Sequence, residues 1–259
     1  MTRNFNLTSA VQVPVGRVRL LASVASSQEA AIAVAAGAEI VDAKDPRRGA
    51  LGALDTATLT QIRATVPRTV PLSATTGDIP AEATDCIVEE IERIATAGVD
   101  IVKIGFFGND GVPRLIEELA KRGDDRHAFG RRVGVLLADR PLSLDVIADL
   151  PAAGFSGVML DTAEKSAGSL LDIVSRTKLE AFLARARSVG LFAGLAGALR
   201  LRHIPEVRVL SPDVAGFRGA LCRAKDRLAS IDADAIREVR AALRAGTAET
   251  TADVARLPE

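Results

Sequence analysis

Two lysines and two aspartates stand where apolar runs of this 259-residue chain end. The runs are Ile40-Val41-Asp42-Ala43-Lys44, Ile101-Val102-Lys103-Ile104-Gly105 and Val158-Met159-Leu160-Asp161-Thr162. Each follows a small residue and a glycine: Ala36-Gly37, Ala97-Gly98 and Ala153-Gly154. A glycine there suits a helix stop, because it takes positive φ without a Cβ clash. Counted from those glycines, Asp42 and Lys103 lie at offset five, and Lys44 and Asp161 at offset seven. All four offsets are odd, and side chains alternate faces along a strand, so equivalent strands would turn these groups to one face. A lysine among apolar residues is rarely buried without a partner or a task. Desolvated, or set beside a second cation, its amine loses basicity and becomes a nucleophile toward carbonyls. Lys44 is the candidate nucleophile and Lys103 the neighbouring cation. Asp42 and Asp161 are carboxylates able to hold that charge or move protons.

The elements that must position these groups alternate in type. Apolar strand patterns fall at Arg19–Ser23, Glu39–Lys44, Val70–Thr75, Ile101–Gly105, Arg132–Leu137, Gly157–Asp161, Leu191–Ala196 and Val214–Arg218. Amphipathic stretches separate most of them: Ser27–Ala36, Asp55–Thr65, Ala83–Ala97, Pro113–Arg122, Leu144–Ala153, Lys178–Val189 and Ile231–Ala245. Such alternation predicts a parallel sheet of βαβ units, and eight units in this length predict a single (β/α)8 TIM barrel over residues 18–245. Residues 1–17 read as an N-terminal extension and 246–259 as a polar tail. The competing architecture is a doubly wound open sheet. Its glycine-rich turn is missing, since Ser23-Val24-Ala25-Ser26-Ser27 follows the first strand.

Composition narrows the partners. Thirty-three basic residues balance thirty-three acidic ones, which argues against nucleic acid or an anionic membrane. The chain has no Trp or Tyr for stacking on bases, no apolar run of membrane-spanning length, and no secretory pattern at its start. Cys86 and Cys222 stand far apart, as do His127 and His203, so no metal-ligand spacing exists and a reducing cytoplasm is expected.

Other candidates sit at the expected loop ends. Lys165 follows Asp161 in Leu160-Asp161-Thr162-Ala163-Glu164-Lys165. Ser23, Thr75 and Asp78 follow the first and third strands as candidate substrate contacts. Gly197 and the pair Arg218-Gly219 close the seventh and eighth, where barrels often cradle phosphate. His203 reads as a loop or helix-end residue.

Together these motifs resemble the (5-formylfuran-3-yl)methyl phosphate synthases, also called 4-(hydroxymethyl)-2-furancarboxaldehyde-phosphate synthases. The resemblance rests on Asp42-Ala43-Lys44-Asp45-Pro46 with Gly49-Ala50-Leu51-Gly52, and on Ser73-Ala74-Thr75-Thr76-Gly77-Asp78-Ile79-Pro80. It continues through Val102-Lys103-Ile104-Gly105, Asp161-Thr162-Ala163 with Lys165, Leu195-Ala196-Gly197 and Gly216-Phe217-Arg218-Gly219-Ala220, in the same order from Leu20 to Leu243. It implies a barrel like that of class I aldolases, joining two glyceraldehyde 3-phosphates and releasing phosphate and water. It further implies that Lys44 forms the Schiff base, that Lys103 is the acid-base lysine, and that Asp42, Asp161 and Lys165 support them. No metal or organic cofactor is implied. The partner would be a small phosphorylated aldehyde, with homo-oligomerisation left open. The alanine- and arginine-rich composition looks bacterial, and with it the resemblance implies the methanofuran-like cofactor of methylotrophs rather than that of methanogens. The loops Leu137-Ala138-Asp139-Arg140 and Ala198-Leu199-Arg200 depart from the family pattern. Two other readings fit the lysines: a deoxyribose-phosphate-aldolase-like enzyme, and a non-catalytic phosphometabolite-binding barrel.

Overall fold

A computed structural model describes residues 17–108, 110–122, 131–141 and 143–245. Eight strands close a barrel in chain order: β1 (Arg19–Val24), β2 (Ile40–Ala43), β3 (Leu72–Thr75), β4 (Ile101–Phe106), β5 (Arg131–Leu137), β6 (Phe155–Asp161), β7 (Phe192–Leu195) and β8 (Val214–Phe217). Every neighbouring pair is parallel, and β8 closes on β1 with Leu21 opposite Gly216. The architecture is the expected (β/α)8 barrel. Of the expected extension over 1–17 only Arg17 lies within the described residues. The expected tail over 246–259, and His127, lie outside them.

The helices are α1 (Ser27–Ala35), α2 (Thr56–Thr65), α3 (Thr84–Thr96), α4 (Val112–Lys121), α5 (Leu170–Ile173), α6 (Arg176–Ser188), α7 (Ile204–Leu210) and α8 (Ala233–Arg244). Side-chain caps start several of them: Ser26 accepts from the Glu29 amide, Asp55 from Thr58, and Asp232 from Asp234 and Ala235. The helix expected over Leu144–Ala153 is instead a 3-10 helix over Leu144–Ala148, followed by turns. Pro151 explains the difference, because it lacks an N–H and disfavours helical backbone at Leu150. Gly154 (φ 73°) is therefore not a helix stop. It also leaves room for the buried Arg132, whose Nη2 would lie 2.2 Å from a Cβ at this position.

Two apolar layers result. The outer one packs the helices on the barrel, with Leu59, Ile62, Ile91, Leu115, Phe182 and Val239 among its members. The inner one fills the barrel with Leu21, Ile40, Leu51, Val133, Val135 and Met159. The strand positions at odd offsets from Gly37, Gly98 and Gly154 thus point inward, and the charged residues stand above that inner layer. Among the described residues no helix is long and apolar enough to cross a membrane.

Candidate active site

A cavity of about 260 Å³ opens at the carboxyl ends of the strands. Leu21 and Met159 are among its apolar lining residues, and Asp42, Lys44, Lys103, Asp161 and Lys165 line it as well. The topology brings together residues from β2, β4 and β6, which is where barrels assemble active sites.

Asp42, on β2, is wholly buried. Its Oδ1 accepts from Lys103 Nζ at 2.9 Å and from Ser73 Oγ at 2.7 Å, while Oδ2 accepts from Ser23 Oγ at 3.1 Å. Burial works to raise its pKa. The Lys103 and Lys44 ammoniums, with the Ser73 and Lys103 hydrogen bonds, outweigh that and hold the carboxyl below the usual range.

Asp161 ends β6. Its Oδ1 accepts from the Thr162 amide at 2.7 Å and from Lys165 Nζ. Burial again opposes ionisation, yet the Lys165 and Lys44 charges and these bonds bring its pKa down to about 2. Lys165 Nζ also donates to the Thr162 carbonyl and hydroxyl.

Lys44 follows β2 directly, and its amide donates to the Val24 carbonyl, extending the strand pairing by one residue. Its Nζ reaches the Ala50 carbonyl at 3.4 Å and Asp161 Oδ2 at 4.0 Å. Three lysines thus share two carboxylates, and Lys44 is the lysine without a close ionic partner. Burial is the main force lowering its pKa. The nearby Lys103 and Lys165 ammoniums add to it, the Asp161 and Asp42 charges oppose it, and the pKa settles at about 8. A useful fraction of neutral amine is therefore present near neutral pH.

The remaining expected residues are placed differently. Ser23, Gly197 and Gly219 line the cavity. Thr75 is buried outside the lining and donates to the Gly52 carbonyl at 3.3 Å. Asp78 is outside it. Its carboxylate accepts from the Ala50 and Leu51 amides at 2.8 and 2.7 Å, so it fixes the loop whose Ala50 carbonyl meets Lys44. Asp78 thus braces that loop in this structure.

Arg218 lines the cavity but does not offer its guanidinium to it. Nε donates to the Arg227 carbonyl at 3.0 Å, Nη1 to the Ser23 carbonyl at 3.1 Å and to Glu29, and Nη2 to Glu29 at 3.1 Å and the Ala229 carbonyl at 3.0 Å. These contacts occupy all five donors of the group. The side chain expected to meet phosphate is thus engaged by protein acceptors in this structure. The sequence reading missed Glu29 as its partner, because a glutamate in a first helical turn already has an ordinary role at the helix dipole. It also missed Lys225 and Arg227, which line the cavity from an irregular loop that no strand or helix pattern marks. His203 lies at the end of a 3-10 helix, and its Nδ1 accepts from the Arg200 amide at 3.0 Å. Among the described residues no group of three His, Cys, Asp or Glu side chains could hold a metal ion.

The fold is similar to that of phosphoribosyl anthranilate isomerase from Thermus thermophilus, with TM-score 0.59, 17% identity, and coverage of 87% of this chain and 98% of that one. A phosphoenolpyruvate phosphomutase from Streptomyces platensis is similar at TM-score 0.57 and 15% identity, over 82% of this chain and 79% of that one. At those identities the likeness concerns the barrel alone. Sequence relatives say more. A Methylorubrum extorquens protein, provisionally named a (5-formylfuran-3-yl)methyl phosphate synthase, is 42% identical over 240 residues, covering 93% of this chain and 98% of that one. The (5-formylfuran-3-yl)methyl phosphate synthase of Methanocaldococcus jannaschii is 33% identical, over 85% of this chain and 97% of its own length. The profile of the 4-HFC-P synthase family matches residues 20–240, from β1 into α8, and the chain belongs to that family.

Proposed function

We propose that this protein condenses two triose phosphates, supplied as glyceraldehyde 3-phosphate, into (5-formylfuran-3-yl)methyl phosphate through a Schiff base on Lys44. One observation carries the reading: a buried lysine, with its pKa lowered to about 8, stands between two lysine–carboxylate pairs in a closed-bottomed cavity. Neutral Lys44 attacks the aldehyde and, with loss of water, becomes an iminium. The adjacent carbon is then acidic, and its deprotonation gives an enamine that expels phosphate from the next carbon. The three-carbon unit so formed attacks the carbonyl of the second triose phosphate. In the product, the carbon bearing the phosphomethyl arm is the one joined to the incoming unit. The second triose must therefore present its middle carbon as a ketone, which proton exchange within the same site can supply. Ring closure and loss of water give the furan. Lys103 exchanges protons, and Asp161 Oδ2, facing Lys44 at 4.0 Å, balances the iminium charge. The product would serve a methanofuran-like cofactor, and the free cysteines Cys86 and Cys222 suit a cytoplasmic enzyme.

The test is incubation with glyceraldehyde 3-phosphate alone. Ultraviolet absorbance of a furan aldehyde should appear together with one inorganic phosphate per furan. A carbon–carbon bond formed without phosphate release would favour the simpler aldolase reading. Binding without turnover would favour a non-catalytic barrel.

A further inference from the structure

The loop after β8 is built with more care than a connection needs. Cys222 bridges Ile231 in antiparallel fashion, and the Arg223 amide donates to the Ser230 carbonyl at 3.0 Å, closing the loop at its base. Within it Ala224 (φ 52°) and Lys225 (φ 59°) are consecutive residues in left-handed backbone. That conformation costs a side-chain-bearing residue about 1 kcal/mol or more and persists only where the surroundings impose it. The imposing contact is Arg218, which holds the Arg227 and Ala229 carbonyls while its other donors grip Glu29 and the Ser23 carbonyl at the end of β1. Glu29 is in turn fixed by the Ala25 amide at 2.8 Å. At the loop's far side Arg227 Nη2 reaches the Gly49 carbonyl at 3.4 Å, across to the loop that follows β2. The consequence is placement of charge. Lys225 and Arg227 both line the cavity, and among the described residues the Lys225 ammonium has no ionic or hydrogen-bonded partner.

We propose that the buried Glu29–Arg218 ion pair is a positioning device that holds the Arg223–Ser230 loop against the cavity, so that Lys225 and Arg227 receive the phosphate of a triose phosphate bound above Lys44. This rests on the Schiff-base reading given above. It also transfers the phosphate contact from Arg218, whose donors are spent, to the two cations that Arg218 places.

The experiment compares glyceraldehyde 3-phosphate with unphosphorylated glyceraldehyde, measuring borohydride-trapped adduct on Lys44 against aldehyde concentration. Three variants are used: Lys225→Ala with Arg227→Ala, Glu29→Gln, and all three changes combined. Removing these two cations should raise the half-saturating concentration of glyceraldehyde 3-phosphate about tenfold or more, and leave that of glyceraldehyde unchanged. Glu29→Gln offers the guanidinium one acceptor where two stood. It should reproduce the phosphate-specific loss in part, and add nothing when combined with the other two changes. Equal shifts for both aldehydes, no shift in the Lys225/Arg227 variant, or an additive effect of Glu29→Gln would overturn the proposal. Because the Lys225/Arg227 variant leaves the buried pair intact, it remains informative if Glu29→Gln fails to fold. A wild-type protein that traps neither aldehyde would instead remove the Schiff-base reading itself.

Discussion

Two lysine–aspartate pairs flank Lys44, and the same two residue types are used in opposite ways. The Asp42–Lys103 pair spans β2 and β4, sealed inside the barrel, with side-chain exposures of 0% and 4%. Its carboxylate is saturated by Lys103, Ser73 and Ser23, whereas the Lys103 ammonium has one acceptor among the described residues. The Asp161–Lys165 pair is local, four residues apart at the cavity mouth, with exposures of 4% and 13%. Here the lysine is saturated, by Asp161 Oδ1 and by the Thr162 carbonyl and hydroxyl. The carboxylate keeps Oδ2 turned to Lys44. The sealed pair therefore presents spare N–H donors to the cavity, and the mouth pair presents a spare acceptor. A lysine with unused donors can protonate and deprotonate substrate. A carboxylate with an unused oxygen and a pKa near 2 is a poor base but a good counter-ion for an iminium.

Substituting the lysine between the pairs should have the largest effect. Lys44→Arg keeps the charge that both pairs surround but removes an amine able to deprotonate and form an imine. Turnover should vanish, with circular dichroism unchanged. Breaking the pairs should separate them next. Lys103→Ala leaves Asp42 buried with an uncompensated charge, so a loss of about 3–5 kcal/mol is expected in urea denaturation. It should also lower kcat by about 10²–10⁴-fold, the usual weight of a general acid-base group. Lys165→Ala, at the mouth, should cost less, about 1–3 kcal/mol, because Lys44 at 4.0 Å remains as a counter-charge to the buried Asp161. Equal losses from the two substitutions would erase the distinction between sealed and mouth pairs.

The smallest effect concerns pH. On the proposed Schiff-base mechanism neutral Lys44 is the reactive form, so the rate of imine formation should rise with pH through about 8 and level off above it. Asp161 raises the Lys44 pKa, so Asp161→Asn should move this limb to lower pH. Lys103 lowers it and also neutralises Asp42, so Lys103→Ala should move the limb to higher pH. Stopped-flow imine absorbance across pH would check both signs, and a limb that shifts the same way in both variants would contradict them.

The pattern of the chain revealed the strands better than the connections. Parity from the glycines placed Asp42, Lys44, Lys103 and Asp161 on one face, because a buried strand admits only one inward alternation. It worked at Asp161 even though Gly154 ends a turn and not a helix. α7 over Ile204–Leu210 was not legible: it has only seven residues and Pro205 in its first turn, too little for a helical period to emerge. The site was legible where a charge interrupts an apolar strand, and illegible where it depends on contacts distant in sequence. Arg218 and Glu29 lie 189 residues apart, and no local spacing shows that one consumes the donors of the other. Asp78 gave the same difficulty on a smaller scale, since a turn carboxylate reads alike whether it meets substrate or a neighbouring loop.

The central claim is that Lys44 is the covalent nucleophile. Borohydride reduction of the protein during turnover of glyceraldehyde 3-phosphate, followed by peptide mass spectrometry, tests it most directly. The account predicts one reduced adduct, on the peptide containing Lys44, and none in Lys44→Arg. An adduct on Lys103 or Lys165, or active turnover with no adduct at all, would contradict it.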